Sequence, residues 1–138
     1  MQHEGADSVT ILLVEDNPGD VLLIRECLEE HQVACELFVA SDGEKAMDFI
    51  DGFEKEGSTL PALVILDLNL PRRSGREVLQ RMRQNPIWSN IPAVILSSSG
   101  ELKDQQETAS LGASKYIRKP SNLDAFIAIG GVLKCMLR

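Results

Sequence analysis

Leu63-Val64-Ile65-Leu66-Asp67-Leu68-Asn69-Leu70-Pro71 decides how the rest of the chain is read. An uninterrupted apolar run that ends in a carboxylate places that carboxylate where a buried strand emerges into a loop. There it is half desolvated, which is costly unless an opposite charge or a donor meets it. Three other strand-like runs end in polar residues of useful chemistry. Ile11-Leu12-Leu13-Val14 leads into Glu15-Asp16, Ala93-Val94-Ile95-Leu96 into Ser97, and Tyr116-Ile117-Arg118 into Lys119-Pro120. Three acids, a hydroxyl and an ammonium at strand ends make one site only if the fold brings those ends together.

Working outward, strand-like runs alternate with helical patterns, the signature of βα units that feed a parallel sheet. The strands are expected at about 9–14, 33–39, 62–67, 91–96 and 113–118. Asn17-Pro18 opens a first helix with a side-chain cap and a proline in the first turn. Val21, Ile24 and Leu28 give it an apolar stripe, and His31 closes it. Ser41 to Glu44, Ser74 to Glu77 and Ser98 to Glu101 each have capping-box spacing and are expected to start helices. The second helix turns Ala46, Phe49 and Ile50 inward, and 52–59 is expected to be a polar loop. The third carries Val78, Leu79 and Met82, and Asn85-Pro86 stops it. The fourth ends at Gly112 and has few anchors, mainly Leu102, Ala109 and Leu111. A last helix covers 121–137. Five strands alternating with five helices imply an open, doubly wound α/β sheet whose crossovers are right-handed. The ligand crevice of such a sheet lies beyond the carboxyl ends of its strands.

The 138 residues suit one domain, 9–138, preceded by a polar, flexible tail at 1–8. A net charge of −7 argues against a nucleic-acid footprint, which needs clustered Lys and Arg. No apolar stretch is long enough to span a bilayer and no signal-peptide core is present, so a cytoplasmic protein is expected. Cys27, Cys35 and Cys135 are an odd number without metal spacing and read as reduced thiols. His3 and His31 have no motif around them, and Trp88 reads as a packing lid over the third helix.

Glu15, Asp16 and Asp67 in one crevice repel one another, and their pKa values rise unless a cation is present. A hard divalent ion such as Mg²⁺ fits, because it takes one or two carboxylates and keeps water or phosphate oxygens as its other ligands. The absence of nearby His or Cys disfavours zinc. Taken singly, Glu15-Asp16 also reads as a solvated turn, Lys119 as a surface lysine, and Ser97 as a serine with a local backbone bond. Taken together, they suit phosphoryl transfer. Asp67 is a nucleophile toward phosphorus, the metal neutralises charge, and Ser97 and Lys119 hold the remaining oxygens.

Leu13-Val14-Glu15-Asp16-Asn17, Ile65-Leu66-Asp67-Leu68-Asn69-Leu70-Pro71, Ile95-Leu96-Ser97-Ser98 and Tyr116-Ile117-Arg118-Lys119-Pro120 together resemble the receiver domain of two-component response regulators, over about residues 9–136. The resemblance implies a flavodoxin-like sheet in the order 2-1-3-4-5. It implies that Asp67 accepts a phosphoryl group from the phosphohistidine of a sensor histidine kinase. It implies Mg²⁺ held by Glu15, Asp16, Asp67 and the backbone carbonyl of Asn69. Ser97 would be the switch hydroxyl, Lys119 the phosphoryl contact, Tyr116 the aromatic that rotates with Ser97, and Lys119-Pro120 a cis bond. Ser at 97 and Glu at 15 depart from the commoner Thr and Asp but keep the needed groups. The motifs look closest to stand-alone receivers of bacterial phytochrome-type kinases, with no DNA-binding output domain following. Such a chain catalyses only its own phosphorylation and dephosphorylation.

The weakly anchored fourth helix marks the element that would move, so the helix 4/strand 5/helix 5 face is expected to change on phosphorylation. On the last helix, Leu123, Phe126, Ile127, Leu133 and Leu137 form one apolar stripe; Ala125, Ile129, Val132 and Met136 form another. Together they cover more of the circumference than a one-sided helix needs. Gly130-Gly131 suggests close approach of another backbone, and Ile129, Val132 and Met136 are therefore expected at a homodimer or partner interface. Three rivals remain open: an interaction module that takes no phosphate, an aspartyl phosphatase, and a flavin or nucleotide binder. The phosphatase would want an acid where Asn69 stands. The nucleotide binder would want a phosphate-cradling loop where Glu15-Asp16 stands.

Overall fold

In the computed structural model, residues 8–56 and 60–137 are described, and ten elements alternate along them. They are β1 Val9–Val14, α1 Pro18–Glu30, β2 Cys35–Ala40, α2 Gly43–Glu56, β3 Leu63–Leu66, α3 Gly75–Gln84, β4 Ala93–Ser97, α4 Leu102–Ser110, β5 Lys115–Arg118 and α5 Leu123–Met136. The strands form one sheet in the order β2-β1-β3-β4-β5, and every pairing is parallel. The strand order reverses between β1 and β3, which opens a crevice beyond their carboxyl ends.

The central strands are almost wholly apolar, Thr10 and Ser97 apart, because both faces of the sheet are covered. Ile11, Leu13, Leu63, Ile65, Val94 and Leu96 face α1 and α5, where they meet Ile24, Cys27, Leu28, Phe126, Ile129 and Leu133. Leu12, Val14, Val64, Leu66, Ala93 and Ile95 face the other way onto Ala46, Ile50, Val78, Leu79, Met82 and Trp88. The edge strand β2 is covered less completely, and Phe38 and Val39 stay partly exposed.

Two helix starts follow their expected chemistry. The Asn17 side chain accepts from the N–H groups of Gly19 and Asp20 at the head of α1, and His31 closes that helix. Ser74 and Glu77 form a reciprocal capping box on α3, which Asn85 ends. The other two expected boxes do not form. Asp42 rather than Ser41 caps α2, accepting from Lys45 N–H at 2.7 Å, because the carboxylate one residue later meets the first-turn donor. Glu101 stands at the start of α4 with no side-chain cap of its own; the Ser99 hydroxyl accepts the Glu101 N–H and donates to Asp104 in the first turn.

Four further expectations are corrected. Helix α2 runs to Glu56 instead of yielding to a polar loop at 52–59; Gly52 alone does not stop a helix whose inward face is seated on the sheet, and 57–59 lie outside the described residues, as do 1–7 of the expected tail. The Lys119–Pro120 bond is trans, the form an X–Pro bond favours by about 0.5–1 kcal/mol. Ile129, expected at an interface, is 5% exposed in the core of the chain, and Val132 and Met136 are half-buried. Helix α5 packs against α1, and Ile129 and Met136 of the second stripe join the cluster there, while Ala125 is exposed. Gly130 serves that contact, since a Cβ there would lie 2.3 Å from the Cys27 carbonyl oxygen. Helix α4 has fewer anchors than expected, because Leu102 is 65% exposed and Ala109 is exposed. Its buried residue is Thr108, whose hydroxyl bonds the carbonyls of Asp104 and Gln105.

Trp88 is fully buried. Its ring meets Phe49 of α2 edge-on, with centroids 6.0 Å apart, so it joins α2 and α3 over the sheet as well as covering α3. All three cysteines are free thiols.

Candidate functional site

Parallel pairing aligns the strand ends, and backbone bonds lock them there. The Asp67 N–H donates to the Val14 carbonyl at 3.0 Å, and the Lys119 N–H to the Ser97 carbonyl at 2.7 Å. Glu15, Asp67, Ser97 and Lys119 therefore leave neighbouring strands on one rim. The loop after Asp67 is seated tightly on α3: a Cβ on Gly75 would lie 2.3 Å from the Asp67 carbonyl oxygen.

Glu15 and Asp67 are buried, at 2% and 7% exposure, and Ser97 is fully buried. Asp16 is exposed. One carboxylate oxygen from each of Glu15, Asp16 and Asp67 lies within 4.8 Å of the others. Lys119 Nζ donates to Asp67 Oδ2 at 3.2 Å, Glu15 Oε1 at 3.0 Å and Asp20 Oδ2 at 2.7 Å. Asp67 Oδ1 accepts the Asn69 N–H at 3.2 Å, and Glu15 Oε2 accepts the Asn17 N–H at 3.1 Å.

Three carboxylates share one ammonium and a fourth, Asp16, lies beside two of them, and the electrostatics follow. Burial pushes the Glu15 carboxyl up to about 7, with the Lys119 hydrogen bond working against this and the Asp67 charge adding to it. For Lys119, burial works to lower the pKa, but the hydrogen bonds from Asp20 and Glu15 and the charges of Asp67 and Glu15 outweigh it and hold the ammonium charged. The donor set is all oxygen, anionic and short of positive charge, which suits a hard divalent cation such as Mg²⁺ or Mn²⁺. The residues present therefore fit such an ion.

The expected residues thus converge, except that Tyr116 is not on the acids. Its hydroxyl donates to the Ser99 carbonyl at 2.8 Å, which ties it to the loop that follows Ser97. The Ser97 hydroxyl oxygen accepts the Ser99 N–H at 3.2 Å. Two participants escaped the sequence reading. Asp20 reaches Lys119 from the first turn of α1, a contact that no local sequence signal marks. Ser99 was legible only as part of a serine run.

The chain matches the response regulator receiver domain model over residues 11–129. It is 39% identical to the response regulator Rcp1 of Synechocystis sp. over 134 residues, covering 96% of this chain and 91% of that protein. The Mn²⁺-bound crystal structure of Rcp1 superposes with a TM-score of 0.82 at 37% identity, covering 91% of each chain. The phosphorylated cyanobacterial phytochrome response regulator RcpA superposes at 0.84 and 36% identity, covering 92% of this chain and 91% of that one. The fold and the acid-lined crevice are those of a phosphoryl-accepting signalling domain. The chain belongs to the response regulator receiver domain family, the family of two-component signalling.

Proposed function

We propose that Asp67 is the phosphoacceptor and that a sensor histidine kinase of the phytochrome type supplies the phosphoryl group. The observation that carries this is the placement of one buried aspartate at the junction of two further acids and a lysine ammonium. The phytochrome link is supported by the similarity to RcpA and Rcp1 across most of the chain.

An Asp67 carboxylate oxygen attacks phosphorus, the P–N bond to the kinase imidazole breaks, and its electron pair leaves with the ring, which takes up a proton. No general base is needed, since the attacking group is already ionised. Glu15, Asp16, Asp67 and the backbone carbonyl of Asn69 would hold Mg²⁺, which supplies positive charge to the transferring group. Lys119 trades its bond to Asp67 for one to a phosphoryl oxygen. Ser97 donates its hydroxyl to another. Asn69 N–H already donates to Asp67 Oδ1 and steadies the nucleophile. Hydrolysis of the acyl phosphate restores Asp67, so the chain acts only on itself. Asn69, two residues after the nucleophile, offers no acid or base for phosphatase turnover.

Ser97 and Tyr116 both bond Ser99, so movement of the hydroxyl reaches the α4/β5/α5 face through that residue. Intact-mass measurement after acetyl phosphate and Mg²⁺ tests the acceptor. One phosphoryl group is expected on wild type and none on Asp67→Asn. A wild-type chain that stays unmodified, or an Asp67→Asn chain that is modified equally, overturns the assignment.

A further inference from the structure

An ammonium carries three N–H donors, and in Lys119 three carboxylates face them. The bond to Asp20 is the shortest, at 2.7 Å, against 3.0 Å to Glu15 and 3.2 Å to Asp67. The pair is enclosed, with 12% of the Lys119 side chain and 20% of the Asp20 side chain exposed. The backbone fixes both ends of this bond. The Lys119 N–H donates to the Ser97 carbonyl at 2.7 Å. The Asp20 N–H donates to the Asn17 side chain at 3.3 Å, in the first turn of α1.

Asp20 differs from the other two partners in its place. Glu15 and Asp67 belong, with Asp16, to the set of acids whose oxygens converge within 4.8 Å of one another, and Asp20 stands outside that set. A divalent ion in the crevice therefore draws on two of the three partners of Lys119 and leaves the third. Its charge also repels the ammonium at short range. The transferring group thus needs Nζ in place at the moment when Glu15 and Asp67 hold it least. An acid in a first turn favours a helix N-terminus by itself, but that role does not require its side chain to point anywhere. Here the carboxylate is turned across the crevice onto a lysine 99 residues away.

We propose that Asp20 is a positioning residue for Lys119: it keeps the ammonium over the crevice while Glu15 and Asp67 are engaged by the divalent ion and the phosphoryl group. This rests on the reading of Asp67 as phosphoacceptor. Lys119 keeps one N–H on Asp20 and is free to donate another to a phosphoryl oxygen. Without Asp20 the flexible lysine stem swings out to water, or falls back on Glu15 and Asp67 and competes with the ion. Either way the transferring group loses a positively charged donor.

The nitrogen NMR signal of the Lys119 ammonium, assigned by its loss in Lys119→Met, reads the anchor directly, because such protons stay visible only while hydrogen bonds slow their exchange with water. In saturating Mg²⁺ the signal is expected to persist in the full wild-type chain and to vanish in Asp20→Ala. Asp20→Asn, which keeps the side-chain shape, is measured beside it and is expected to weaken the signal, so a misfolded alanine variant does not decide the question. Phosphorylation by acetyl phosphate in saturating Mg²⁺ is the second readout. Asp20→Ala is expected to slow it about tenfold. In a Lys119→Met background the same substitution is expected to slow it no further, because Asp20 acts through that lysine. A signal that survives Mg²⁺ at full strength in both Asp20 variants, or that Mg²⁺ abolishes in wild type, overturns the anchor. So does equal slowing in the Lys119→Met background, which would assign Asp20 to the helix alone. A wild-type chain that acetyl phosphate leaves unmodified overturns the phosphoacceptor reading instead, and the ammonium signal still decides whether Asp20 holds Lys119 against the metal. A wild-type chain that takes up no Mg²⁺ overturns both.

Discussion

Glu15 is the residue whose surroundings have the clearest consequence in solution. Burial and the Asp67 charge raise its pKa to about 7 from an ordinary 4.5. In the metal-free fold it keeps its proton almost to neutrality, whereas the unfolded chain loses that proton near 4.5. The unfolded state therefore binds fewer protons between these values, and the Glu15 contribution to stability declines as pH rises through that window. A divalent cation needs the ionised carboxylate, so its binding releases this proton. Mg²⁺ affinity is expected to climb from pH 5.5 to 8 and then level off, with about one proton released per ion at the acid end. Calorimetry in two buffers of different ionisation enthalpy measures both. Glu15→Gln is expected to flatten the metal-free stability profile and to abolish the pH-dependent part of Mg²⁺ uptake. At this scale Asp67, Glu15, Asp16, Ser97 and Lys119 were all legible, because each follows an apolar run that ends at one rim. Asp20 was not: nothing in the local pattern says that a first-turn acid of α1 lies 2.7 Å from a lysine nearly a hundred residues away.

Among the elements, α5 differs most from what its pattern suggested. Two apolar stripes read as more hydrophobic surface than one domain needs, yet Ile129 and Met136 of the second join the core cluster that α1 lines, and the close approach at Gly130 is to the Cys27 carbonyl of the same chain. Gly130→Ala is expected to destabilise the fold by about 1–3 kcal/mol, the usual range for an overpacked contact, although alanine is the better helix former. Urea unfolding checks it, and a stabilised variant would contradict the α1–α5 contact. Helix α4 is the opposite case. With Thr108 as its only buried residue, its amides are expected to exchange with solvent faster than those of α1, a difference that hydrogen exchange resolves. The caps show how far local rules reach. Asn17 and Ser74 cap as read, whereas the Ser41 and Ser98 patterns lost to Asp42 and to Ser99, because spacing does not reveal which side chain is free to turn toward the helix.

For the molecule as a whole, two clusters on opposite faces of one sheet support the rim on which the acids sit. Trp88 belongs to one cluster and is fully buried against Phe49, so Trp88→Ala is expected to cost about 3–5 kcal/mol in chemical denaturation. Its effect on Mg²⁺ affinity in the surviving folded fraction is expected to be small, because none of the hydrogen bonds described for the acids and Lys119 involves the Trp88 side chain. Among the described residues no helix is long and apolar enough to cross a membrane. The sequence by itself determined the alternation of strands and helices, the parallel doubly wound sheet and the placement of Asp67 at the end of β3. These follow from the periodicity of apolar residues and from polar groups placed where such runs end, and both are local properties. Only the tertiary structure decided that Asp20 joins the acid pocket, that Ile129 turns inward, that Lys119–Pro120 is trans, and that Ser99 gathers Ser97, Tyr116 and Asp104 onto one residue. Each of these depends on which surfaces meet when helices close over the sheet, and that is set by the shape of the packed whole.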